Sequence, residues 1–277
     1  MSLTPKETTD LLRDIGHQPK KQFGQNFLID GNIVRKSIEM ADLPEGLPVV
    51  EIGPGLGTLT RRLLQAGHPV HAVEIDHGLL ENLERSLSPE IGKGRLSLQR
   101  ADAVKSPLGT LPEGIDEYAV VANLPYAISS AWLESLLATG RLPLRMVLML
   151  QKEALDRMWA DCETKNYNAL SIFLRASFES GTRHLVSRQC FYPAPGVDSV
   201  LARMDRLPSP YLFADPTRAL IRKIFTRRRK QIGSLAKREE AKECDEILTW
   251  LESEGLSPTL RPEQIEPQAW LSLERRD

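Results

Sequence analysis

The sequence predicts an α/β protein, with a mainly parallel sheet flanked by helices and a small all-helical C-terminal domain. Between residues 49 and 150, apolar runs of strand length alternate with helix-length amphipathic segments, which is typical of a parallel sheet with right-handed crossovers. After the linker-like stretch Leu207-Pro208-Ser209-Pro210, the pattern indicates helices only. We therefore expect two domains, residues 1–207 and residues 208–277.

The elements of the first domain follow from caps and stops. Thr4 and Glu7 form a capping box that predicts a first helix, with Pro5 at its first position and Gly16 at its end. Asp30 is a capping residue for the next helix. The helices are predicted at 4–16, 32–41, 58–65, 79–87 and 130–137, and the parallel strands at 49–52, 70–75, 96–99, 118–122 and 145–150.

The remaining elements complete the sheet and form the second domain. Two strands, 177–186 and 199–205, are predicted to close the sheet as an antiparallel pair. Beyond the linker, one helix is predicted to begin at Asp215-Pro216 and to continue through a basic run. A last helix over 239–254 ends before Gly255.

Composition excludes several classes of protein. The chain has 277 residues, of which 41% are hydrophobic and 26% charged, so general disorder is excluded. The apolar run Met146–Leu150 is far shorter than the roughly 20 residues of a membrane span, and the first thirty residues carry no signal-peptide core. The three cysteines form no C-x-x-C pair and the histidines form no metal pattern. We expect a cytoplasmic protein without a metal ion.

Net charge hides one basic segment. The chain carries a formal charge of −1, yet nine basic residues and no acidic residue lie between Arg218 and Arg238. A segment with a single sign of charge favours contact with a polyanion. The alternative is a solvated helix face, although such a face usually alternates its signs.

Polar residues follow four of the predicted strands. Gly53, Glu74, Asp102 and Asn123 stand at strand ends, where doubly wound sheets bind their ligands. The glycine loop Gly53–Gly57 has the spacing G-x-G-x-G, which differs from the G-x-G-x-x-G of dinucleotide sites and argues against an NAD-dependent oxidoreductase. The loop alone is also compatible with an ordinary tight turn.

Two of these carboxylates suit a nucleoside. Glu74 lies 21 residues after Gly53, where a carboxylate accepts hydrogen bonds from ribose hydroxyls. Asp102 could accept from an adenine amine or cap a helix, and both interpretations stay open. For Asp76, a helix cap is the favoured interpretation.

Asn123-Leu124-Pro125-Tyr126 is the most specific element. The Asn123 side-chain oxygen and the Pro125 carbonyl can each accept one N–H of an exocyclic amine, and Tyr126 can stack on the base. Acceptors placed off the ring plane favour a pyramidal nitrogen and expose its lone pair. An Asx-Pro turn with a packed tyrosine is the alternative, and the neighbouring glycine loop favours function.

Taken together, the motifs resemble the ribosomal RNA adenine dimethyltransferase family, in particular its small-subunit (16S) branch. Any one of them would be weak, but several in one chain are specific. They are Lys20–Leu28 (KKQFGQNFL), Glu51–Gly57 (EIGPGLG), Val73–Asp76 (VEID), Asp102-Ala103, Asn123–Tyr126 with Ile128-Ser129, Leu150–Glu153 (LQKE), Phe191–Ser199 (FYPAPGVDS) and Phe225–Lys230 (FTRRRK).

The resemblance implies a Rossmann-like class I methyltransferase sheet that binds S-adenosylmethionine. It implies a cofactor site made of Gln25, Asn26, Leu28, Gly53, Gly55, Glu74, Ile75, Asp102, Ala103 and Asn123. It places the target base against Asn123, Leu124, Pro125 and Tyr126. Phe191 is either a second aromatic wall of that pocket or a core residue.

The resemblance also implies a substrate and a partner. The expected reaction is dimethylation of two adjacent adenines in a 16S rRNA hairpin near its 3′ end, within an immature small ribosomal subunit, by a monomer. The expected RNA contacts are Lys20, Lys21, Arg222, Arg227, Arg228, Arg229 and Lys230. A large-subunit (23S) methyltransferase of the resistance type and a non-catalytic ribosome-assembly factor are the alternatives. The chain departs from the usual family pattern at Ala127, Asn168 and Gly233.

Overall fold

The computed structural model describes residues 4–273, apart from the side chains of Lys21 and Ala241. The chain forms two compact units. The sheet unit consists of Met1–Leu155 and Ser180–Arg206, and the helical unit consists of Asp156–Glu179 and Leu207–Asp277. The expected boundary after residue 207 falls one residue beyond the last change of unit, after Arg206, whereas Asp156–Glu179, which we placed in the first domain, groups with the helical unit.

A seven-stranded sheet forms the centre of the sheet unit. The strands of the chain are β1 (Phe27–Leu28), β2 (Val49–Ile52), β3 (Val70–Glu74), β4 (Leu96–Arg100), β5 (Ala119–Asn123), β6 (Arg145–Gln151), β7 (Phe178–Val186), β8 (Phe191–Tyr192) and β9 (Ser199–Arg206). Strands β2 to β6 run parallel, and β9 pairs antiparallel with β6. The α/β fold class is therefore confirmed. The order of the strands across the sheet is β4-β3-β2-β5-β6-β9-β7. The short strands β1 and β8 form a separate antiparallel pair.

Helices cover the sheet, and three of them begin at side-chain caps. The capping box of Thr4 and Glu7 is present, Asp30 caps the second helix and Asp76 caps the fourth, as their sequence positions predict. The first seven helices are α1 (Pro5–Asp14), α2 (Gly31–Ala41), α3 (Thr58–Gln65), α4 (His77–Ser86), α5 (Ser88–Gly92), α6 (Ser129–Ala138) and α7 (Lys152–Met158). Their apolar faces, the fully buried β2 and the buried residues 119–122 of β5 form the core that holds the strand ends in place.

The helical unit is built around aromatic residues. Its helices are α8 (Ala169–Ser177), α9 (Asp215–Phe225), α10 (Ile232–Ala236) and α11 (Ala241–Ser253). Phe225 packs on Tyr167 and on Trp270, with ring centroids 5.5 Å apart in both pairs, and Trp250 lies 4.9 Å from Trp270. Such pairs supply much of the buried apolar surface of a unit this small.

The prediction that a helix continues through the basic run was wrong. Helix α9 ends at Phe225, and the arginines that follow lie in a turn before α10. The six residues 226–231 include no apolar side chain. Since a helix in a folded protein is stabilised mainly by packing of its apolar face, nothing holds these residues in a continued helix.

Candidate active site at the carboxyl edge of the sheet

The carboxyl ends of β2, β3, β4 and β5 surround a cleft in the sheet unit, with about 1110 Å³ of empty space including the part open to solvent. This is the edge at which doubly wound sheets bind ligands. All the residues that the resemblance assigned to the cofactor line this cleft, and so do Leu124, Pro125 and Tyr126. The parallel topology therefore gathers four separate sequence motifs at one place.

The glycine loop follows β2 in a left-handed conformation. Gly53 has φ 66° and Gly55 has φ 59°, values that side-chain-bearing residues rarely adopt. A Cβ on Gly53 would lie 3.2 Å from Pro125 Cγ, and a Cβ on Gly55 would lie 3.1 Å from Phe27 Cδ1. The glycines therefore allow the neighbouring segments, as well as a ligand, to approach the backbone closely.

Glu74 is buried at the end of β3 and fixes the loop. One carboxylate oxygen accepts the backbone N–H of Gly55 at 3.1 Å, and the other accepts that of Asp76 at 2.9 Å. Burial raises the pKa of Glu74, while these backbone donors oppose the shift. Since each carboxylate oxygen can accept two hydrogen bonds, the side chain keeps capacity for a ligand in the cleft.

Glu51 is a site residue that the sequence analysis missed. Its side chain lines the cleft, it is 2% exposed, and its Oε2 has no hydrogen-bond partner among the described residues. Burial raises the pKa of Glu51 to about 8, Thr60 opposes the shift, and the nearby Glu74 charge adds to it. The available signal was a glutamate within the otherwise apolar run of β2.

Asn123 ends β5 with its carboxamide in a defined orientation. Its Nδ2 donates a hydrogen bond to the backbone carbonyl of Asn26 at 3.0 Å. The oxygen of the same carboxamide is therefore left as the acceptor. The Pro125 carbonyl accepts the Ile128 N–H at 3.1 Å, which uses one of its two lone pairs.

The two predicted aromatic residues lie in different environments. Tyr126 lines the cleft, and its hydroxyl forms a short hydrogen bond with the buried Ser199 hydroxyl. Burial raises the pKa of Tyr126 and the Ser199 contact opposes the shift. Phe191 is 2% exposed, pairs with Leu28 in the ladder of β8 with β1, and belongs to the hydrophobic core. It does not line the cleft, so its environment corresponds to the core alternative.

Asp102 closes a turn after β4, and further turns rather than a helix follow it. Its Oδ1 accepts the backbone N–H of Val104 at 2.9 Å, and the residue lines the cleft. The helix-cap interpretation was therefore wrong, whereas the second oxygen is not used by that turn and could accept from an amine in the cleft.

Lys20, predicted to contact RNA, forms an ion pair within the sheet unit, although its side chain is 46% exposed. Its ammonium lies 2.8 Å from the carboxylate of Asp76, whose side chain is fully buried. Gln25 also bonds to Asp76, at 3.2 Å. Lys21 carries another predicted RNA contact, and its side chain lies outside the described residues.

The cations of the basic run divide into two groups. Arg228 donates to the carbonyls of Tyr167 and Lys165 and lies 3.4 Å from a Glu263 oxygen, and Arg222 stacks over the ring of a phenylalanine. Both are therefore held inside the helical unit, contrary to the predicted phosphate contacts. The other group, Arg227, Arg229 and Lys230, is exposed.

A polar recess borders the exposed group. It is lined by Arg229, Lys230, Gln231, Ser234, Thr259, Arg261 and Gln264. Arg261 comes from a distant part of the sequence, and no clustering of charge around it signalled this position. Within residues 4–273, no carboxylate forms an ion pair with Arg229, Lys230 or Arg261. Three cations thus meet at one surface site.

The departures from the family pattern have local structural roles. Asn168 caps α8, its side chain accepting from the backbone of Leu170 at 2.9 Å. At Gly233, an added Cβ would lie 2.7 Å from Pro258 Cβ, so the glycine allows α10 to approach that loop. Ala127 lies at the cleft.

Within the described part of the chain, no helix is long and apolar enough to span a membrane. Nor do residues 4–273 contain a group of three or more histidine, cysteine or carboxylate side chains that could hold a metal ion.

Known proteins resemble the chain along almost its whole length. A model of the family described as ribosomal RNA adenine dimethylase matches residues 16–274. A protein of Opitutus terrae named ribosomal RNA small subunit methyltransferase A is 47% identical over 278 residues, covering 100% of both chains. A protein of the same name from a Geobacillus species is 39% identical, covering 83% of this chain and 80% of the relative.

Solved structures agree with these matches. A dimethyladenosine transferase from Plasmodium falciparum superposes with a TM-score of 0.72 at 28% identity, covering 88% of this chain and 94% of the other. The 23S rRNA methyltransferase ErmE superposes with a TM-score of 0.61 at 27% identity, covering 90% and 98%. The chain therefore shares its fold with rRNA methyltransferases of known structure, and it belongs to the ribosomal RNA adenine dimethylase family.

Proposed function

We propose that this chain uses S-adenosylmethionine to dimethylate the exocyclic amines of two adjacent adenines in a 16S rRNA hairpin near its 3′ end, during small-subunit assembly. The observation that carries the proposal is the position of Asn123. Its carboxamide oxygen is left as an acceptor at the end of β5, beside the glycine loop and in the same cleft. The small-subunit name of the relative that is 47% identical supports the choice of RNA.

The cleft fits the proposed cofactor. S-adenosylmethionine carries a sulfonium and an ammonium cation. A cation beside the buried Glu51 carboxyl, whose Oε2 has no hydrogen-bond partner among the described residues, would lower its raised pKa and let it ionise as a counter-charge. Glu74 would accept hydrogen bonds from the ribose hydroxyls, and the second oxygen of Asp102 would accept one from the adenine amine. Ile75, which is 43% exposed, would cover the adenine ring. When bound, the cofactor supplies an activated methyl group.

The residues of the chain orient the adenine amine. Asn123 Oδ1 and the remaining lone pair of the Pro125 carbonyl accept its two N–H groups, which favours a pyramidal nitrogen whose lone pair is less delocalised into the ring. Tyr126 stacks on the base, held through its hydroxyl by Ser199. Proximity and orientation supply most of the rate enhancement in such a transfer.

The reaction needs no dedicated base. Among the described residues that line the cleft there is no histidine. The amine nitrogen becomes strongly acidic once it is alkylated, so its proton passes to water at the open side of the cleft.

Arg229, Lys230 and Arg261 of the helical unit would hold phosphates of the RNA backbone. Contacts of this kind position a nucleic acid without specifying its sequence. The partner is an immature small ribosomal subunit, and the enzyme acts as a monomer in the cytoplasm.

Transfer of a labelled methyl group from S-adenosylmethionine tests the proposal. The acceptors are small ribosomal subunits that lack dimethyladenine, with large subunits and DNA in parallel. We expect label only on small subunits, recovered as dimethyladenosine. Label on large subunits would instead support the 23S activity named for the structural neighbour ErmE. Binding to small subunits without any transfer would indicate an assembly factor.

A further inference from the structure

We propose that Lys20 and Asp76 are positioning residues for methyl transfer, because their ion pair holds residues 22–28 in place as one wall of the cofactor cleft. The inference rests on the proposed function and departs from the RNA-contact role that the sequence suggested for Lys20. It assigns the lysine to binding of the cofactor.

Asp76 attaches residues 17–28, called here the N-terminal segment, to the sheet. Its Oδ2 accepts from Lys20 Nζ at 2.8 Å and from Gln25 Nε2 at 3.2 Å, while Oδ1 lies 3.7 Å from His17 Nδ1. Oδ1 also accepts the backbone N–H of Gly78 at 3.0 Å, as the cap of α4. Asp76 therefore joins three residues of the N-terminal segment to the end of β3.

The contacts continue within the segment. Gln25 Oε1 accepts the backbone N–H of Lys20 at 2.7 Å and lies 3.0 Å from His17 Nε2. Lys20 Nζ also lies 5.7 Å from the centre of the Phe23 ring. Lys20 and Gln25 thus close the turn between them and attach it to Asp76 at two points.

The segment held in this way carries cleft residues. Residues 22–28 all line the cleft, and the Phe27 ring packs against the glycine loop at Gly55. The Asn26 carbonyl accepts the hydrogen bond that orients Asn123. On the opposite side, the backbone N–H of Asp76 donates to Glu74 at 2.9 Å. A substitution of Asp76 can therefore displace both the Glu74 carboxylate, which is proposed to bind the cofactor, and the Asn123 carboxamide, which is proposed to bind the target base.

Because the Asp76 carboxylate is buried, its ion pair with Lys20 restrains the position of residues 22–28 more strongly than a surface ion pair would. The Asp76 side chain has no exposed area, whereas the Lys20 side chain is 46% exposed. Removing the lysine charge leaves a buried carboxylate short of a partner, which is costly, and the segment can relieve that cost by moving away and admitting water. Lys20 is the cation that prevents this.

Binding of S-adenosylmethionine by calorimetry, without RNA, separates the two roles of Lys20. We expect Lys20→Met to raise the Kd by about tenfold, the scale of a lost charge-assisted hydrogen bond. Lys20→Arg should stay within a few fold of the wild type, because a cation still reaches Asp76. Lys93→Met is the matched control, since Lys93 lies on the surface of the same unit, 3.7 Å from Glu90, and away from the cleft.

RNA kinetics supply the second readout. Under the proposal, Lys20→Met raises the KM for S-adenosylmethionine and leaves the KM for small subunits and the salt dependence of RNA binding unchanged. An unchanged cofactor Kd in Lys20→Met would overturn the proposal. So would a raised subunit KM with a salt slope reduced by about 1, the mark of a phosphate contact. Failure of the wild type to bind the cofactor would instead contradict the proposed function.

Asp76→Asn guards against a simple folding defect. The amide keeps an oxygen to cap α4 but loses the charge that attracts Lys20. We expect at least the loss of cofactor affinity seen in Lys20→Met, since Asp76→Asn also disturbs the bond from Gln25, and no further loss when Lys20→Met is added to Asp76→Asn. Additive losses in the double variant would contradict a shared positioning role.

Discussion

Asn123 Nδ2 and the Asn26 carbonyl oxygen lie 3.0 Å apart, although the two residues are separated by 97 positions in the sequence. The contact joins the end of β5 to the N-terminal segment. It uses the donor of the carboxamide and leaves the acceptor for a target amine. The wall of the cofactor cleft and the orientation of the proposed target-base residue are therefore not independent.

The buried Glu51 predicts a stability that depends on pH. Since burial raises the pKa of Glu51 from its ordinary 4.5 to about 8, the folded state binds a proton that the unfolded state has lost between those values. This contribution to stability is full below about pH 4.5 and falls as pH rises toward 8, with a slope of at most about 1.4 kcal/mol per pH unit. Glu51→Gln should remove that slope.

Urea denaturation of both proteins from pH 5 to pH 8 checks this prediction. The advantage in unfolding free energy of Glu51→Gln over the wild type should grow across the range. Glu74 contributes a slope of the same sign to both proteins, because burial raises its pKa as well. A difference that stays constant with pH would show that Glu51 is ionised in the folded state.

A methyl group at Gly55 should weaken cofactor binding. The added Cβ would lie 3.1 Å from Phe27 Cδ1 and the residue would be held at φ 59°, so both the loop and the wall must shift. We expect Gly55→Ala to cost about 1–3 kcal/mol of stability and to raise the Kd for S-adenosylmethionine. Gly46→Ala is the control, since Gly46 has φ 75° but open space around its Cβ. Equal cofactor affinity in the two variants would refute the packing argument.

Tyr126 should act through its ring. Tyr126→Phe keeps the stacking surface and loses only the bond to Ser199, so we expect kcat/KM for small subunits to fall by a few fold. Tyr126→Ala removes the ring, and a loss of about 10–100-fold corresponds to the 1–3 kcal/mol of one base–aromatic stack. Single-turnover methylation rates measure both effects. Similar rates for the two variants would argue against stacking.

Substitutions of the exposed arginines and of the partly buried Arg228 should have different effects. Arg229→Gln or Arg261→Gln should weaken binding to small subunits and lower the salt slope by about 1, without loss of stability. Arg228→Gln should destabilise the helical unit by about 1–3 kcal/mol, because the Tyr167 carbonyl and Glu263 lose a charged partner. Salt titrations and thermal melts distinguish these outcomes, and a stable Arg228→Gln with a reduced slope would contradict the assignment.

The sequence was sufficient to predict the strand ends, because short apolar runs followed by polar residues depend on local pattern and parallel topology. Gly53, Glu74, Asp102 and Asn123 therefore all lie at one cleft. The partners of the charged side chains could not be predicted in this way.

Those partners depend on tertiary contacts. The lysine at 20 has the same local sequence whether it meets a phosphate or Asp76, and only the fold brings these two residues within 2.8 Å. The basic run likewise gave no sign that Arg228 would bond to Tyr167. Glu51 could have been noticed as a charge within a strand, but its unpartnered oxygen follows from the packing around β2.

Asn123→Ala removes the one carboxamide oxygen on which the proposed methyl transfer depends. The variant and the wild type would be compared for dimethyladenosine formed on small subunits that lack it, alongside the Kd for S-adenosylmethionine. We expect a loss of product of about 10²–10³-fold, the scale for removing one preorganised group, which exceeds any loss of cofactor affinity caused by breaking the bond to Asn26. Near-normal formation of dimethyladenosine by Asn123→Ala would show that the Asn123 carboxamide does not orient the target amine.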